Sequence, residues 1–526
     1  MAQAAVFTPC FFCRTACGWG LLRSQHSPAV RWGTSALDVV VRIVRILMDF
    51  SEVHKQSLGQ WSPNGKYLAA AAQNRVLVRD SEALQLMNVY VCADKVERIE
   101  WAPDSEYLLA EVARQGVVEV WSVADADWHC RIDQGLGGVA RARWAPSSRH
   151  VLAISDFQLY LSVWRLEQDQ HSAIQIRHPK YPNRGLAFSH NRRWMALLRR
   201  ANCRDSLAVY SCEEQFAQIS EFNVDADCAD VGWAPGDRAL ILWERPARAA
   251  RFLWYTPSGE LLTQVAECGL LRSAFPSPSA HLLAGTGFDG RLHLLSGAAM
   301  KMVACLVHDL KVALAEADES EVMVLREEFV GAGPVARHLH LHGADLLGVA
   351  AAKNDAGAVG KSPGSVRYVR VPNASGVRIP EDRPLPEPAV DGEGVPKQGV
   401  GFVSWSPDER YIATKHDSMP TAVWVWDLGR LVLTALLLHR SPVRSFTWDS
   451  SNAARGDSSR LAISTADPFL FFWSPGEAVV APCALSLSRL QWRCDGRALL
   501  LQDRDRACSC SPGPPLPPSE APRQPF

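Results

Sequence analysis

The chain has 526 residues, 47% of them hydrophobic, with 55 lysines and arginines against 56 aspartates and glutamates, a formal net charge of −1. That is enough apolar material for a large core or several small ones, and the charge balance gives no global pull toward nucleic acid or an anionic membrane. No apolar stretch reaches the roughly 20 residues that a membrane-spanning helix needs.

Residues 1–47 carry arginines at 14, 23, 31, 42 and 45 and no acid before Asp38, a composition like that of a mitochondrial transit peptide. Met48 opens "MDFSEV", which reads as a start of its own, so 1–47 is expected to be an N-terminal extension, disordered or spurious. Cys10, Cys13 and Cys17 have no second ligand pair behind them, so no zinc site is expected there. Apart from a second close pair, Cys508 and Cys510, the remaining cysteines sit singly, mostly in apolar runs, the usage of a reducing compartment.

From position 61 a phrase recurs. It reads WSPNGKYLA at Trp61, then returns in altered form at Trp101, Trp144, Phe188, Trp233, Phe275, Trp405, Trp448 and Trp492. Outside one gap the intervals are 40, 43, 44, 45, 42, 43 and 44 residues, the period of four-stranded propeller blades. An aromatic residue ends one strand, Ser/Ala-Pro-Asp/Asn turns the chain, and Gly or a small polar residue takes positive φ before the next strand. A second apolar phrase follows each copy. Its aromatic landmarks are Trp121, Trp164, Trp426 and Trp473, and Asp427 completes the one intact Trp-Asp pair, in "AVWVWD". The expected fold is all-β: a WD40-type β-propeller with about nine recognisable units, in one enlarged ring or two smaller ones.

The expected division is a first run of six units over 48–300 and three more over 401–505, with a Pro-rich tail at 506–526. Between the runs, 301–400 is close to three periods long with its repeat phrase lost. It reads as degenerate strands with Pro/Gly-rich loops, either two eroded blades or one long insertion. Within it, "GAVGKS" (357–362) lacks the glycine and the helix start of a phosphate-binding loop, and "HLHLH" (338–342) lacks a fourth metal ligand. The arginine pairs 192–193 and 199–200 make at most a local basic rim, far short of a nucleic-acid footprint. No nucleophile elbow or zinc-protease motif is present. No catalytic, cofactor or metal residue is therefore assigned, and the chain is expected to be a non-enzymatic platform. An RNA- or translation-associated adaptor and a ligand-binding or enzymatic propeller are the alternatives.

The run from Met48, "MDFSEVHKQSLGQWSPNGKYLAAAAQNRVLVRD", together with "WHCRID" (128–133), "FVSWSPDERYIATKHDSMPTAVWVWDLGRL" (402–431) and "SPVRSFTWD" (441–449), resembles the Wdr-eight family of WD-repeat proteins. Its vertebrate member is encoded antisense to a p53-family gene. The likeness runs from about Met48 to about Leu501. It implies a scaffold of the cytoplasm and cytoskeleton, at the centrosome, centriolar satellites and mitotic spindle poles. The implied work is anchoring microtubule minus ends, setting spindle length and orientation, and supporting centriole maturation and cilium assembly. The implied partners are a coiled-coil anchoring protein of the Msd1 type (in vertebrates, the synovial-sarcoma-X breakpoint interacting protein), a kinesin-14 and gamma-tubulin-containing assemblies. Partner-contacting residues are unknown. The end of the chain departs from the family pattern and puts ring closure in doubt.

Overall fold

The computed structural model describes residues 49–512, except 126, 167–172, 245–250, 267–270, 310–321, 331–364, 372–376, 381–397, 452–458, 476 and 484. The described residues form nine sheets, one per repeat, in a nine-bladed β-propeller. Blade one consists of Leu58–Trp61, Tyr67–Ala72, Arg75–Asp80 and Leu86–Val91, each antiparallel to the next. The first strand of each blade is innermost. In the following blades these strands are Arg98–Trp101, Arg141–Trp144, Leu186–Phe188, Cys228–Trp233, Leu271–Pro276, Val400–Trp405, Val443–Trp448 and Arg489–Trp492. Blade nine lies against blade one as well as against blade eight, so there is one ring and not two.

Local sequence explains the blades. Second and third strands such as "YLAAAA" and "VVEVWS" bury side chains on both faces, because a neighbouring blade covers each face. The residue four after the strand-end position adopts positive φ wherever that copy is described: Gly65, Ser105, Ser148, Arg192, Asp237, Ala280, Glu409 and Gly496. The turn therefore demands the left-handed region whether or not glycine is there to supply it.

Two regions depart from the four-strand plan. Blade seven has six strands. Its outer strand, Val432–Leu438, pairs in parallel with Met323–Val330, and that strand pairs with Ser365–Arg370. Among the described residues of 301–400, Lys301–Val307 is the outer strand of blade six, and Met323–Val330 with Ser365–Arg370 adds a hairpin to blade seven. Tyr368 carries the hairpin across to blade eight. Its ring packs 5.3 Å from that of Phe471, and its hydroxyl lies 3.3 Å from Nε2 of His439. Burial holds the His439 imidazole neutral, with its pKa lowered to about 3, so it meets Glu327 as a polar ring rather than as a cation.

Blade nine is completed by the segment from Asp49 to Lys55. Arg506–Ser511 is its third strand, not part of a tail beginning at 506, and it pairs with Asp49–Phe50 and His54–Lys55. Its cysteines read as small hydrophobes: Cys508 and Cys510 are buried with Cys483, and Phe50 packs against the same cluster. The last strand therefore does close the ring, with an N-terminal strand as its partner.

Candidate interaction surfaces and the blade joints

The repeat residues predicted from sequence are the joints between blades. The indole N–H of Trp101 donates to Gln60 O at 3.0 Å, that of Trp144 to Glu100 O at 3.1 Å, and that of Trp233 to Ala187 O at 3.1 Å. Trp405 reaches Phe275 O at 3.2 Å, Trp448 reaches Ser404 O at 3.0 Å, and Trp492 reaches Thr447 O at 3.2 Å. Each bond joins a strand end to the innermost strand of the preceding blade, and each indole also excludes water from that seam.

Three joints differ. Phe188 has no N–H to give, and the Arg143 guanidinium sits 6.0 Å over its ring. Phe275 is not the strand-end residue that its aromatic character suggested. The bond from Ser277 N to Leu282 O matches that from Ser62 N to Tyr67 O, which puts Pro276 in the register of Trp61 and Phe275 one residue earlier. One residue of offset turns Phe275 to the opposite face of the strand. The third exception is Trp61, at the closure. Its indole N–H has no partner among the described residues, and Arg493 lies 5.9 Å over its ring. Blades nine and one are held instead by Gln502 Nε2 donating to Gly59 O at 2.6 Å and by Arg493 donating to the Ser81 hydroxyl at 3.2 Å.

A second set of bonds uses the positive-φ residue of the turn. Asn64 N donates to Ser105 Oγ (3.0 Å), Asp104 N to Ser148 Oγ (3.1 Å), Asn191 N to the Asp237 carboxylate (2.9 Å) and Ser279 N to that of Glu409 (2.5 Å). A non-glycine residue there costs about 1 kcal/mol of backbone strain, and a bond to the previous blade offsets it. At the closure the position is Gly65, with no side chain to offer.

The second-phrase residues sit in third strands. Trp121 stacks on Tyr90 at 5.0 Å, Trp164 is half-buried in blade three, and Trp473 meets Trp448 edge-on at 6.1 Å. In "AVWVWD", Trp426 donates to Thr414 Oγ1 (3.1 Å), and that hydroxyl meets His308 Nε2 at 2.7 Å. His308 Nδ1 lies 2.9 Å from Gly290 O. All bonds are satisfied when Nδ1 carries the proton, and burial keeps the ring neutral, its pKa lowered to about 3. Asp427 accepts bonds from Gly429 N (2.8 Å) and Arg430 N (3.2 Å), closing the turn.

Charged groups that sequence reasoning did not single out gather at two joints. Between blades two and three, Arg98 pairs with Glu100 at 2.8 Å and approaches Glu111 at 3.9 Å; Arg141 also reaches Glu111 at 3.9 Å. Burial pushes the Glu111 carboxyl up to about 7 despite a 2.8 Å bond from Ala142 N. Between blades four and five, the buried Lys180 ammonium contacts Asp205 and Asp227, each at 2.6 Å, and Cys228 O at 2.5 Å. Arg200 joins the same two carboxylates at 2.7 Å. Arg199 pairs with Glu221 and Arg193 with Glu213, so the supposed basic rim is largely neutralised within its own blade. These groups vary from blade to blade, so no periodicity marks them. Among the described residues no group of three or more His, Cys, Asp or Glu side chains could hold a metal ion. Cys10, Cys13, Cys17, "HLHLH" and "GAVGKS" lie outside the described residues.

The surface that breaks the ring's regularity is the blade-seven hairpin, whose outward side shows Arg326, Glu328, Phe329, Arg367 and Arg370. Arg440 lies 5.8 Å over the Phe329 ring.

No protein-family model matches the chain. WD repeat-containing protein WRAP73 of Mus musculus is 33% identical over 475 residues, which cover 88% of this chain and 96% of that protein. Among solved structures, the C-terminal WD40 domain of Sif2 aligns with a TM-score of 0.45 at 10% identity, covering 88% of this chain and 98% of that one. The dihydro-heme d1 dehydrogenase NirN aligns with a TM-score of 0.43 at 11% identity, over 74% and 66% of the two chains.

Proposed function

Since the chain belongs to the WRAP73 family of WD-repeat proteins, we propose that it is a non-catalytic scaffold at the centrosome, centriolar satellites and spindle poles. In this reading it anchors microtubule minus ends together with a coiled-coil partner of the Msd1 type, and with kinesin-14 and gamma-tubulin-containing assemblies. It thereby sets spindle length and orientation and supports centriole maturation and cilium assembly. The observation that carries the reading is kinship over 96% of the relative's length, so that the whole ring is shared rather than a few blades. A rigid ring with hydrogen-bonded joints suits the role, because partners held on different blades keep a fixed spacing.

The test has two arms. Tagged full chain and a version starting at Met48 are imaged through mitosis, and both are expected at spindle poles. Each is also purified from mitotic cells, where the coiled-coil anchoring protein is expected in stoichiometric amounts. A folded, abundant protein that stays diffuse and comes without that partner would overturn the reading.

A second reading, a ligand-binding propeller, draws on the Arg98, Glu100, Glu111 and Arg141 group at the joint of blades two and three. Its acids are already committed to the joint: Glu111 accepts from Ala142 N at 2.8 Å and Glu100 from Trp144 N at 3.2 Å. That commitment favours a structural role for the group.

A further inference from the structure

Two loops at one end of blade three carry large apolar side chains into solvent. Gly135–Gly137 lies on the connection from blade two to the innermost strand of blade three, and Asp156–Gln158 joins the second and third strands of blade three. The register pairs Arg141 with Ile154 and Tyr160 with Arg177, so both loops lie at the same end of the sheet. They are in contact: a Cβ on Gly137 would collide with the Tyr160 hydroxyl, and one on Gly138 with the Asp156 carboxylate. On this joined surface Leu136 is fully exposed, Phe157 is 88% exposed and Leu159 is 52% exposed.

Phe157 has φ +58° and Gln158 φ +53°. Two consecutive left-handed non-glycine residues cost about 1 kcal/mol each, and the Phe157 ring stands in water. Exposed apolar groups gathered on one surface mark a contact site. The charges around them are two exposed carboxylates, with Arg131 and Arg177 exposed nearby. Asp133 and Asp156 are exposed at the two ends of the Gly135–Gly138 connection. Arg131 reaches Asp133 only at 3.9 Å, and Asp156 has no cation within salt-bridge distance among the described residues. Nearby, Arg114 and Glu97 neutralise each other at 4.0 Å.

We propose that this ridge docks an amphipathic α-helix whose apolar stripe is bordered by lysine or arginine. The proposal rests on the scaffold reading and deepens it, by naming the surface that the coiled-coil partner occupies. The three exposed apolar side chains offer contacts to an apolar helical stripe, and the exposed Asp133 and Asp156 carboxylates select basic flanks. A second copy of the chain would set acid against acid across a two-fold axis. An anionic membrane would meet the same two carboxylates.

The test uses the full chain and a purified recombinant coiled-coil anchoring protein of the Msd1 type, with Kd measured by calorimetry. Leu136→Asp and Phe157→Gly should each weaken binding about tenfold or more, as apolar anchors at an interface do. Phe157→Gly should at the same time leave thermal stability unchanged or raised, because glycine relieves the positive φ; a merely structural role predicts the opposite. Asp133→Lys with Asp156→Lys should weaken binding most at low salt. Val303→Asp, on the rim of blade six, should change nothing. If wild type binds and the ridge variants bind equally well, the ridge is overturned while the scaffold reading stands. If wild type does not bind, both fall. A concentration-dependent dimer that Leu136→Asp dissolves, or binding to phosphatidylserine vesicles that Phe157→Gly abolishes, would overturn the helix as occupant.

Discussion

The joint between blades seven and eight and the joint between blades nine and one solve the same problem by different means. At the first, Trp448 donates its indole proton to the preceding blade, and the insertion hairpin straps across the outer edge through Tyr368. At the second, the Trp61 proton goes unused, the turn residue is Gly65, and the contact depends on Gln502, Arg493 and a short N-terminal strand. Six joints use the strand-end indole of the repeat phrase. The closure is written once, in residues that do not repeat. The lesson is that a repeat fold is uniform in sequence only where each unit meets a unit made directly after it.

The contrast is most easily broken by removing the strand. A chain beginning at Gln56 lacks both segments that pair with Arg506–Ser511. Hydrogen exchange should then show blades nine and one losing protection while blades four and five keep theirs. Equal protection throughout would mean that the ring closes without the strand.

Glycine in the turn comes next. A Cβ on Gly496 would collide with Asp449 and Ser451 and would also strain φ at +67°, so Gly496→Ala should cost about 2 kcal/mol or more in urea unfolding. Gly65→Ala meets only Cys494 Sγ and Arg493 side-chain carbons and should cost nearer to about 1 kcal/mol. A smaller effect separates the indoles. Trp448→Phe removes a made hydrogen bond and Trp61→Phe an unmade one, so the first should lose about 1 kcal/mol more than the second. Equal losses would show that ring burial alone holds both joints.

The subtlest difference is in pH. Glu111, at the joint of blades two and three, has its folded pKa raised to about 7, so the native state binds the proton more tightly and stability falls as pH rises from the usual carboxylate range to 7. Glu111→Gln should flatten that slope. His308 and His439 act oppositely. Their pKa values are lowered to about 3, so stability falls as pH drops from 6.5 toward 3, and amides of blades seven and eight should exchange first in acid.

The blade phrase was legible because each copy satisfies the same local demands: an indole to fill a seam, a turn with positive φ, and small residues for a face covered by a neighbour. Pairing between distant segments was not legible. Nothing local in "MVLREEFV" says that it lies parallel to "VLTALLL" more than a hundred residues later, and nothing in "RACSCS" says that its partner is at the start of the chain. Phe275 misled because aromatic character and register usually coincide, and there a proline took the place. Lys180 and Glu111 could not be found by period, since each serves one joint only. The Leu136 and Phe157 ridge left one trace, glycines crowded around an apolar residue in "GLGG", which a search for repeats passes over.

The N-terminal strand also imposes an order of events on synthesis. Ser51 and Ser509, which bond each other at 2.8 Å, stand 458 residues apart. At about 5–20 residues per second, the ribosome delivers the second roughly half a minute to a minute and a half after the first. Through that interval the nascent chain is an open arc, with the first blade bare on the side where the last will stand. The ring can close only once the strand that carries Ser509 has been made.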